Sequence, residues 1–288
     1  MNELVDPSKA PPRAGRVSVV VPTRNAERTL RACLESVRAQ DYDDIELIVV
    51  DNWSSDHTPE IARSLADVVE QAGPERSAQR NRGIALCTGD WVMWVDADMV
   101  VAPTCVSTAL MVAADAGVEA LAIPEVTVGP GYWTACRALE RSCYVDDPSL
   151  HNARLLRRDL LTRLGGFDET MSGPEDTHLR HQLRQAGVAV ALAPVLIEHD
   201  EGRLTLADVW RKRVYYGRSL PSFAAANPGM VGEQGRGTFR AFARHRRRLL
   251  RRPALTAGML GLRAMEAVAY AVGAHQGRRA RRTERPAA

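Results

Sequence analysis

Three short apolar runs, each ending in a polar cluster, constrain this chain more than any other feature. Val17–Val21 (VSVVV), Ile45–Val50 (IELIVV) and Trp91–Val95 (WVMWV) read as strands, and Asp67–Gln71 is a weaker one. Helix-period segments separate them. One begins near Ala26 and repeats Leu30, Leu34 and Val37, one opens at Thr58-Pro59, and one runs through Ser77–Leu86. Strand and helix in strict alternation predict an α/β fold with an open, mainly parallel sheet, its strands covered on both faces. In such sheets ligands bind at the carboxyl ends of the strands. Those ends carry Pro22-Thr23-Arg24-Asn25, Asp51-Asn52 and Asp96-Ala97-Asp98.

Farther along, the pattern predicts a helix near Thr104–Ala114, a strand over Ala120–Val128 and a helical stretch over Tyr132–Tyr144. A turn at Gly165–Glu169, a helix from Pro174 to Gln185 ended by Gly187, and a strand over Val188–Ala193 complete the body.

Two carboxylate clusters carry the chemistry. If Asp96 and Asp98 lie on extended backbone, both face one ligand and suit Mg²⁺ or Mn²⁺ holding a diphosphate. Alone, the D-x-D reads equally as a polar strand end. Glu175-Asp176 opens a helix, where acidic side chains are favoured without any function. Beside a ligand crevice the same pair supplies a general base. Glu175, His178 and His181 at i+3 steps raise the rival of a metal hydrolase, although the spacing is not H-E-x-x-H. His199 follows a strand and can return to the same edge. There is no G-x-x-x-x-G-K-[ST], no G-x-G-x-x-G after the first strand, and no nucleophile elbow. A metal–diphosphate site with a separate carboxylate base remains.

Taken in order, VVPTRNAERTL (20–30), ELIVVDNWSSDHT (46–58), RNRGIALCTGDWVMWVDADM (80–99) and GGFDETMSGPEDTHLRHQL (165–183) resemble glycosyltransferase family 2, the inverting GT-A enzymes. The resemblance covers roughly residues 17–220. It implies that Pro22, Thr23, Asn25 and Glu27 line a nucleotide pocket, that Asp51 recognises the base, and that Arg80 and Asn81 close over the nucleotide. It makes Asp96 and Asp98 the D-x-D, with Asp96 also facing the nucleotide and Asp98 the stronger metal ligand, and His199 completes the metal shell. Asp176 is similar to the family's catalytic base, with Glu175 beside it in the acceptor site. Two departures stand out. The usual D-D-G-S is D-N-W-S here (Asp51 to Ser54), and Q-x-x-R-W, associated with processive synthases, is missing.

The function so implied is metal-dependent, inverting, non-processive transfer of one hexosyl unit in glycan biosynthesis. The donor is a nucleoside diphosphate sugar, with UDP the family's commonest carrier. A sugar-nucleotide pyrophosphorylase-like enzyme is one alternative, although VVPTRN is not its glycine-rich loop. A non-catalytic nucleotide-sugar-binding or scaffold protein is another.

Charge is uneven. The chain of 288 residues has a net charge of +3, yet Arg236 to Arg285 holds fourteen arginines against Glu266 and Glu284, so the remainder is acidic. Within this segment Leu255, Met259, Leu262, Met265, Ala269 and Val272 recur on one helical face. Arg263 and Glu266 interrupt it and argue against a span. The face then lies on an anionic membrane with an acceptor that is lipid-linked, such as a polyprenyl-phosphate glycan, or it packs on the body. Nucleic acid is not expected, because aromatics are not interleaved with the arginines. Five cysteines without a C-x-x-C pair, and a start without an apolar leader, suggest a cytoplasmic protein, peripheral on the cytoplasmic face. The expected organisation is a loose leader (1–16), a GT-A domain (17–225) and a basic amphipathic helical tail (236–288).

Overall fold

The computed structural model describes residues 15–171, 173–227 and 230–283. All but the last two residues of the expected leader, and the tail beyond 283, lie outside the described residues. The amino-terminal half alternates as β1 (Val17–Thr23), α1 (Leu30–Arg38), β2 (Ile45–Asp51), α2 (Thr58–Leu65), β3 (Val68–Gln71), α3 (Arg76–Leu86) and β4 (Trp91–Trp94). Then come β5 (Met99–Val101), α4 (Cys105–Ala116), β6 (Ala120–Ala122), β7 (Glu125–Val128), α5 (Tyr132–Arg141), β8 (Ala153–Arg157), α6 (Arg158–Leu164), α7 (Glu175–Gln185), β9 (Val190–Leu192) and β10 (Ile197–Asp200). The chain closes on α8 (Leu206–Gly217), α9 (Leu220–Ala226), α10 (Met230–Arg244), α11 (Arg246–Leu250) and α12 (Pro253–Thr283).

Seven strands form the main sheet in the order β3-β2-β1-β4-β8-β6-β9. It is parallel through β3, β2, β1 and β4, and β8 runs antiparallel to both of its neighbours. All of β1 is buried, and its side chains alternate between two cores. Val17, Val19 and Val21 pack with Leu30, Leu34 and Val37 of α1. Val20 packs on the opposite face with Ile48, Trp94, Phe167 and Leu179. Helix α3 lies unusually close to that face: a Cβ on Gly83 would come within 2.3 Å of Val20 Cγ1. One turn earlier on the same helix, Gln79 and Arg80 are therefore driven into the interior.

Several expectations change. Helix α1 starts at Leu30 rather than Ala26, because residues 26–29 form a turn closed by Thr29 N–H on Ala26 C=O at 3.0 Å. The single strand expected over 120–128 is two strands in different sheets. Pro124 lies between them and has no N–H to continue the ladder. Ile197–Asp200 is itself a strand, the centre of a second sheet in the order β5-β10-β7. Strand β8 and helix α6 were not foreseen.

The expected tail is helical but not free-standing. Of its six expected face residues, Met259, Leu262 and Ala269 are buried and Leu255 and Met265 half-buried, which leaves Val272 exposed. That face packs on α5 and α8. The α8–α12 crossing is close because it is lined with glycine: a Cβ on Gly273 would sit 2.2 Å from Val214 O. By length and composition alone, 253–279 is a helix apolar enough to cross a membrane. Yet Glu266, in its middle, is buried and bound by Arg137 of α5 and by Arg213 of α8, the latter at 2.6 Å.

Candidate active site

The site forms where β4 ends. Asp96-Ala97-Asp98 is a turn, closed by Met99 N–H on Asp96 C=O at 2.9 Å, and not the extended strand expected. The alternation argument therefore fails, and the two carboxylates part. Asp96 turns inward to three arginines, and Asp98 turns to the second sheet.

Asp96 accepts a hydrogen bond from Arg80 Nη2 at 2.8 Å, and its other oxygen faces Arg76 Nη1 at 3.7 Å and Arg154 Nη2 at 3.6 Å. Burial favours its neutral form, but Arg80, Arg76 and Arg154 outweigh this and hold it far below the usual carboxylate range. Arg80 is fully buried, with its guanidinium 5.1 Å from the centre of the Phe167 ring. It also donates from Nη1 to Asp176 at 2.8 Å, so one arginine ties the end of β4 to the start of α7. Arg80 therefore has no exposed surface with which to close over a nucleotide. Asn81 is also engaged elsewhere, because its side chain bonds both the N–H (2.9 Å) and the C=O (2.8 Å) of Phe167. Glu175 is buried and held by Arg76 Nε at 2.8 Å.

Asp98 meets His199 because of strand register. Antiparallel pairing sets His199 opposite Met99, and Asp200 N–H reaches Asp98 C=O at 2.8 Å. His199 Nε2 then lies 3.1 Å from Asp98 Oδ2, and Nδ1 lies 3.7 Å from Glu125. Burial alone would lower the imidazole pKa, but the hydrogen bond to Asp98 and the nearby Glu125 carboxylate raise it to about 9. Among the described residues no three His, Cys, Asp or Glu gather to hold a metal by themselves. The facing Asp98–His199 pair nevertheless fits a divalent ion that takes its other ligands from phosphate and water, as Mg²⁺ and Mn²⁺ do. His178 is bonded to Asn227 at 2.9 Å, so the Glu175–His178–His181 cluster does not converge.

Asp176, Asp96, His199, Asn152 and Tyr216 line one cavity of about 560 Å³. Asp176 Oδ1 is fixed by Arg80, while Oδ2 accepts a longer hydrogen bond, at 3.3 Å, from Asn152. A carboxylate oriented on one oxygen and lightly held on the other can take a proton. Beside it a recess of about 330 Å³ is lined by Pro22, Thr23, Arg76, Gln79 and Glu175. The Thr23 hydroxyl is buried there without a hydrogen-bond partner among the described residues.

The remaining expected residues, Asn25, Glu27 and Asp51, lie at or just beyond the ends of β1 and β2 and do not line either cavity. Asn25 accepts from Ser55 N–H at 2.9 Å, and Glu27 bonds His57 Nδ1 at 3.1 Å, which joins the β1 and β2 loops. Asp51 is 1% exposed and caps its own loop through Ser54 N–H at 3.0 Å. Sequence reading missed Arg76, Arg154, Glu125 and Asn152. Arg154 carried a signal: an arginine inside the apolar run Ala153–Leu156 needs a buried anion. Glu125 is that anion, with Arg154 Nε at 3.0 Å.

A mainly parallel sheet with a carboxylate turn at the end of β4 and a second carboxylate at a following helix start is the GT-A glycosyltransferase fold. Residues 18–167 match Glycosyl transferase family 2, and the chain belongs to that family. It is 36% identical over 104 residues to the uncharacterized glycosyltransferase YibD of Escherichia coli K12, covering 34% of this chain and 30% of that protein. It is 29% identical over 232 residues to the pre-mycofactocin glycosyltransferase of Mycobacterium tuberculosis, covering 74% of this chain and 48% of that one. The chain thus matches between 30% and 48% of the length of these relatives. The mannosyltransferase PcManGT from Pyrobaculum calidifontis, solved with GDP-Man and Mn²⁺, shares the fold with a TM-score of 0.62 at 21% identity, covering 94% of this chain and 89% of that one.

Proposed function

We propose that this chain transfers one sugar, with inversion, from a nucleoside diphosphate sugar to an acceptor hydroxyl, with the help of a divalent metal. The observation that carries this reading is the shared cavity, in which Asp176 stands beside Asp96 and His199. The nucleotide lies along the carboxyl ends of β1 and β2, where the unpartnered Thr23 hydroxyl accounts for part of the recess. The donor base is uracil on the family's habit alone; the GDP-Man of PcManGT belongs to that protein. Asp98 and His199 hold the metal, which when bound offsets the negative charge growing on the leaving diphosphate. Asp176 accepts the proton of the attacking hydroxyl, and Arg80 and Asn152 orient its two oxygens. Glu175 acts indirectly, by fixing Arg76 against Asp96. The Asp51-Asn52-Trp53-Ser54 loop has a buried Asp51 and an exposed Trp53, so base recognition there differs from the family's usual glycine loop.

Asp176→Asn should reduce transfer on the order of 100-fold or more while nucleotide still raises the melting temperature. Retention of more than a few per cent of the wild-type rate, with donor bound, removes Asp176 as the base.

A second reading concerns location, at the cytoplasmic face of an anionic membrane with a lipid-linked acceptor. Its support is the surface of α11 and α12 and the turn between them, where Leu250, Leu260 and Val268 are exposed, as are Arg246, Arg247, Arg251 and Arg252. The five cysteines are free and buried, in keeping with a reducing compartment.

A further inference from the structure

The catalytic cavity does not end at Asp176. Past Thr177 it continues into a second chamber of about 610 Å³ beneath α8, α9, α10 and α12, and Tyr144, Leu150, Arg213 and Tyr216 line both spaces. The two differ in chemistry. The first is walled largely by charged side chains, including Arg76, Asp96, Glu125, Arg154 and His199. The second is walled by Tyr144, Tyr216, Phe223 and Tyr270, with Leu150 and Leu220 between them.

The charges bordering the second chamber are already matched. Arg213 Nε is 2.6 Å from Glu266, Glu266 is also bound by Arg137, and Arg263 lies 3.4 Å from Glu140. A phosphate brought into this space would have to compete with buried carboxylates for every arginine. A neutral aromatic group meets four ring edges and faces without disturbing any pair. Size gives the same answer. At about 610 Å³ the chamber is large enough to receive one or two aromatic rings.

We infer that this chamber receives a compact, uncharged aromatic aglycone, carried by the acceptor next to the hydroxyl that Asp176 deprotonates. The inference rests on the glycosyl-transfer reading for its purpose, since the chamber opens from the cavity that contains Asp176. It assigns the α9–α12 segment a role in acceptor selection, with α12 held in place by the Glu266 ion pairs.

The test compares 4-nitrophenyl glycosides with the matching methyl glycosides of common hexoses, first for equilibrium binding without donor and then as acceptors with donor and Mn²⁺. The aryl compounds should bind at least tenfold more tightly, and where transfer occurs they should show a similar advantage in kcat/KM. Ala267→Trp and Thr238→Trp, each placing bulk at the chamber wall, should abolish the aryl advantage while the nucleotide-induced rise in melting temperature persists. Two variants on different helices guard against one simply failing to fold. Transfer with equal aryl and methyl affinity, or an aryl advantage untouched by both tryptophans, overturns the inference and leaves the transferase reading standing. Aryl binding that both tryptophans remove, without transfer to any acceptor, supports the chamber and counts against the transferase reading.

Discussion

Arg80 offers the sharpest test of how this site is built, because one fully buried guanidinium serves two carboxylates that belong to different steps. Arg80→Met keeps most of the volume and deletes both hydrogen bonds, to Asp96 and to Asp176, each 2.8 Å long. Breaking one buried pair costs about 3–5 kcal/mol, largely because the surviving charge is left without its partner. The two losses do not simply add. Asp96 keeps Arg76 at 3.7 Å and Arg154 at 3.6 Å, and Asp176 keeps a 3.3 Å hydrogen bond from Asn152 with the charges of Arg76, Arg154 and Arg180 around it. We therefore expect a loss of about 4 kcal/mol, out of a total of roughly 5–15 kcal/mol for a protein of ordinary stability. With a urea slope of about 3 kcal/mol/M, the unfolding midpoint falls by about 1.3 M. Arg80→Lys should recover part of this, since a point charge can serve one carboxylate but not fork between two. A double-mutant cycle with Asp176→Asn isolates the pair and should give a coupling above about 1 kcal/mol. A midpoint shift in Arg80→Met below about 0.3 M, or strict additivity in the cycle, would refute the picture of a shared buried arginine.

The two aspartates of the D-x-D should separate in their effects. Asp98→Ala should lose the Mn²⁺-dependent part of nucleotide stabilisation, with a smaller fall in the metal-free melting temperature than Asp96→Ala, which removes the carboxylate that Arg76, Arg80 and Arg154 share; equal behaviour of the two in thermal shift refutes the division. Burial favours protonated Glu266, but Arg213 and Arg137 prevail and lower its pKa, so it contributes stability above the ordinary glutamate value of about 4.3 that is lost as pH falls through the lower folded value. Glu266→Gln should therefore be less stable than wild type at pH 7, with a gap that narrows below about pH 4; denaturant midpoints across pH would show a constant gap if the ion pairs contribute nothing. For the membrane reading, Arg247→Ser with Arg251→Ser should cut partitioning onto anionic vesicles roughly 30-fold, at about 1 kcal/mol per arginine. Equal flotation of the variant and the parent chain rejects it.

Much of the donor half was legible because it is local. Each strand of the parallel set is a contiguous apolar run, and its polar end follows in the next residue, so β1, β2 and β4 and their loops could be placed without long-range information. That His199 could return to the edge of Asp98 was readable from its place after a strand, but their pairing was given only by family resemblance, since it depends on a strand pairing across 101 residues of sequence. The burial of the arginines was not legible for a related reason. Arg80 sits in a polar stretch, RSAQRNRG, that looks like a solvated helix face, and only the close approach of Gly83 to Val20 turns that face inward. The α12 face was open to two readings in sequence because membrane and protein interior select the same apolar side chains at the same spacing. What separates them is Glu266, which marks the packed side only once Arg137 and Arg213 are known to be its neighbours.

Those same contacts connect the carboxyl-terminal segment to the chemistry. Arg213 reaches Glu266 from α8, and Tyr216, one helical turn further along α8, lines the recess behind Pro22, the cavity of Asp176 and the aromatic chamber alike. A displacement of α12 must move α8, because their backbones touch at Gly217 and Gly273 with no side chain between them to absorb the shift. The helix that looks like an appendage in the sequence is thus a wall of the aromatic chamber, and if that chamber receives the acceptor, changes at its glycines should be felt in acceptor use before they are felt in nucleotide binding.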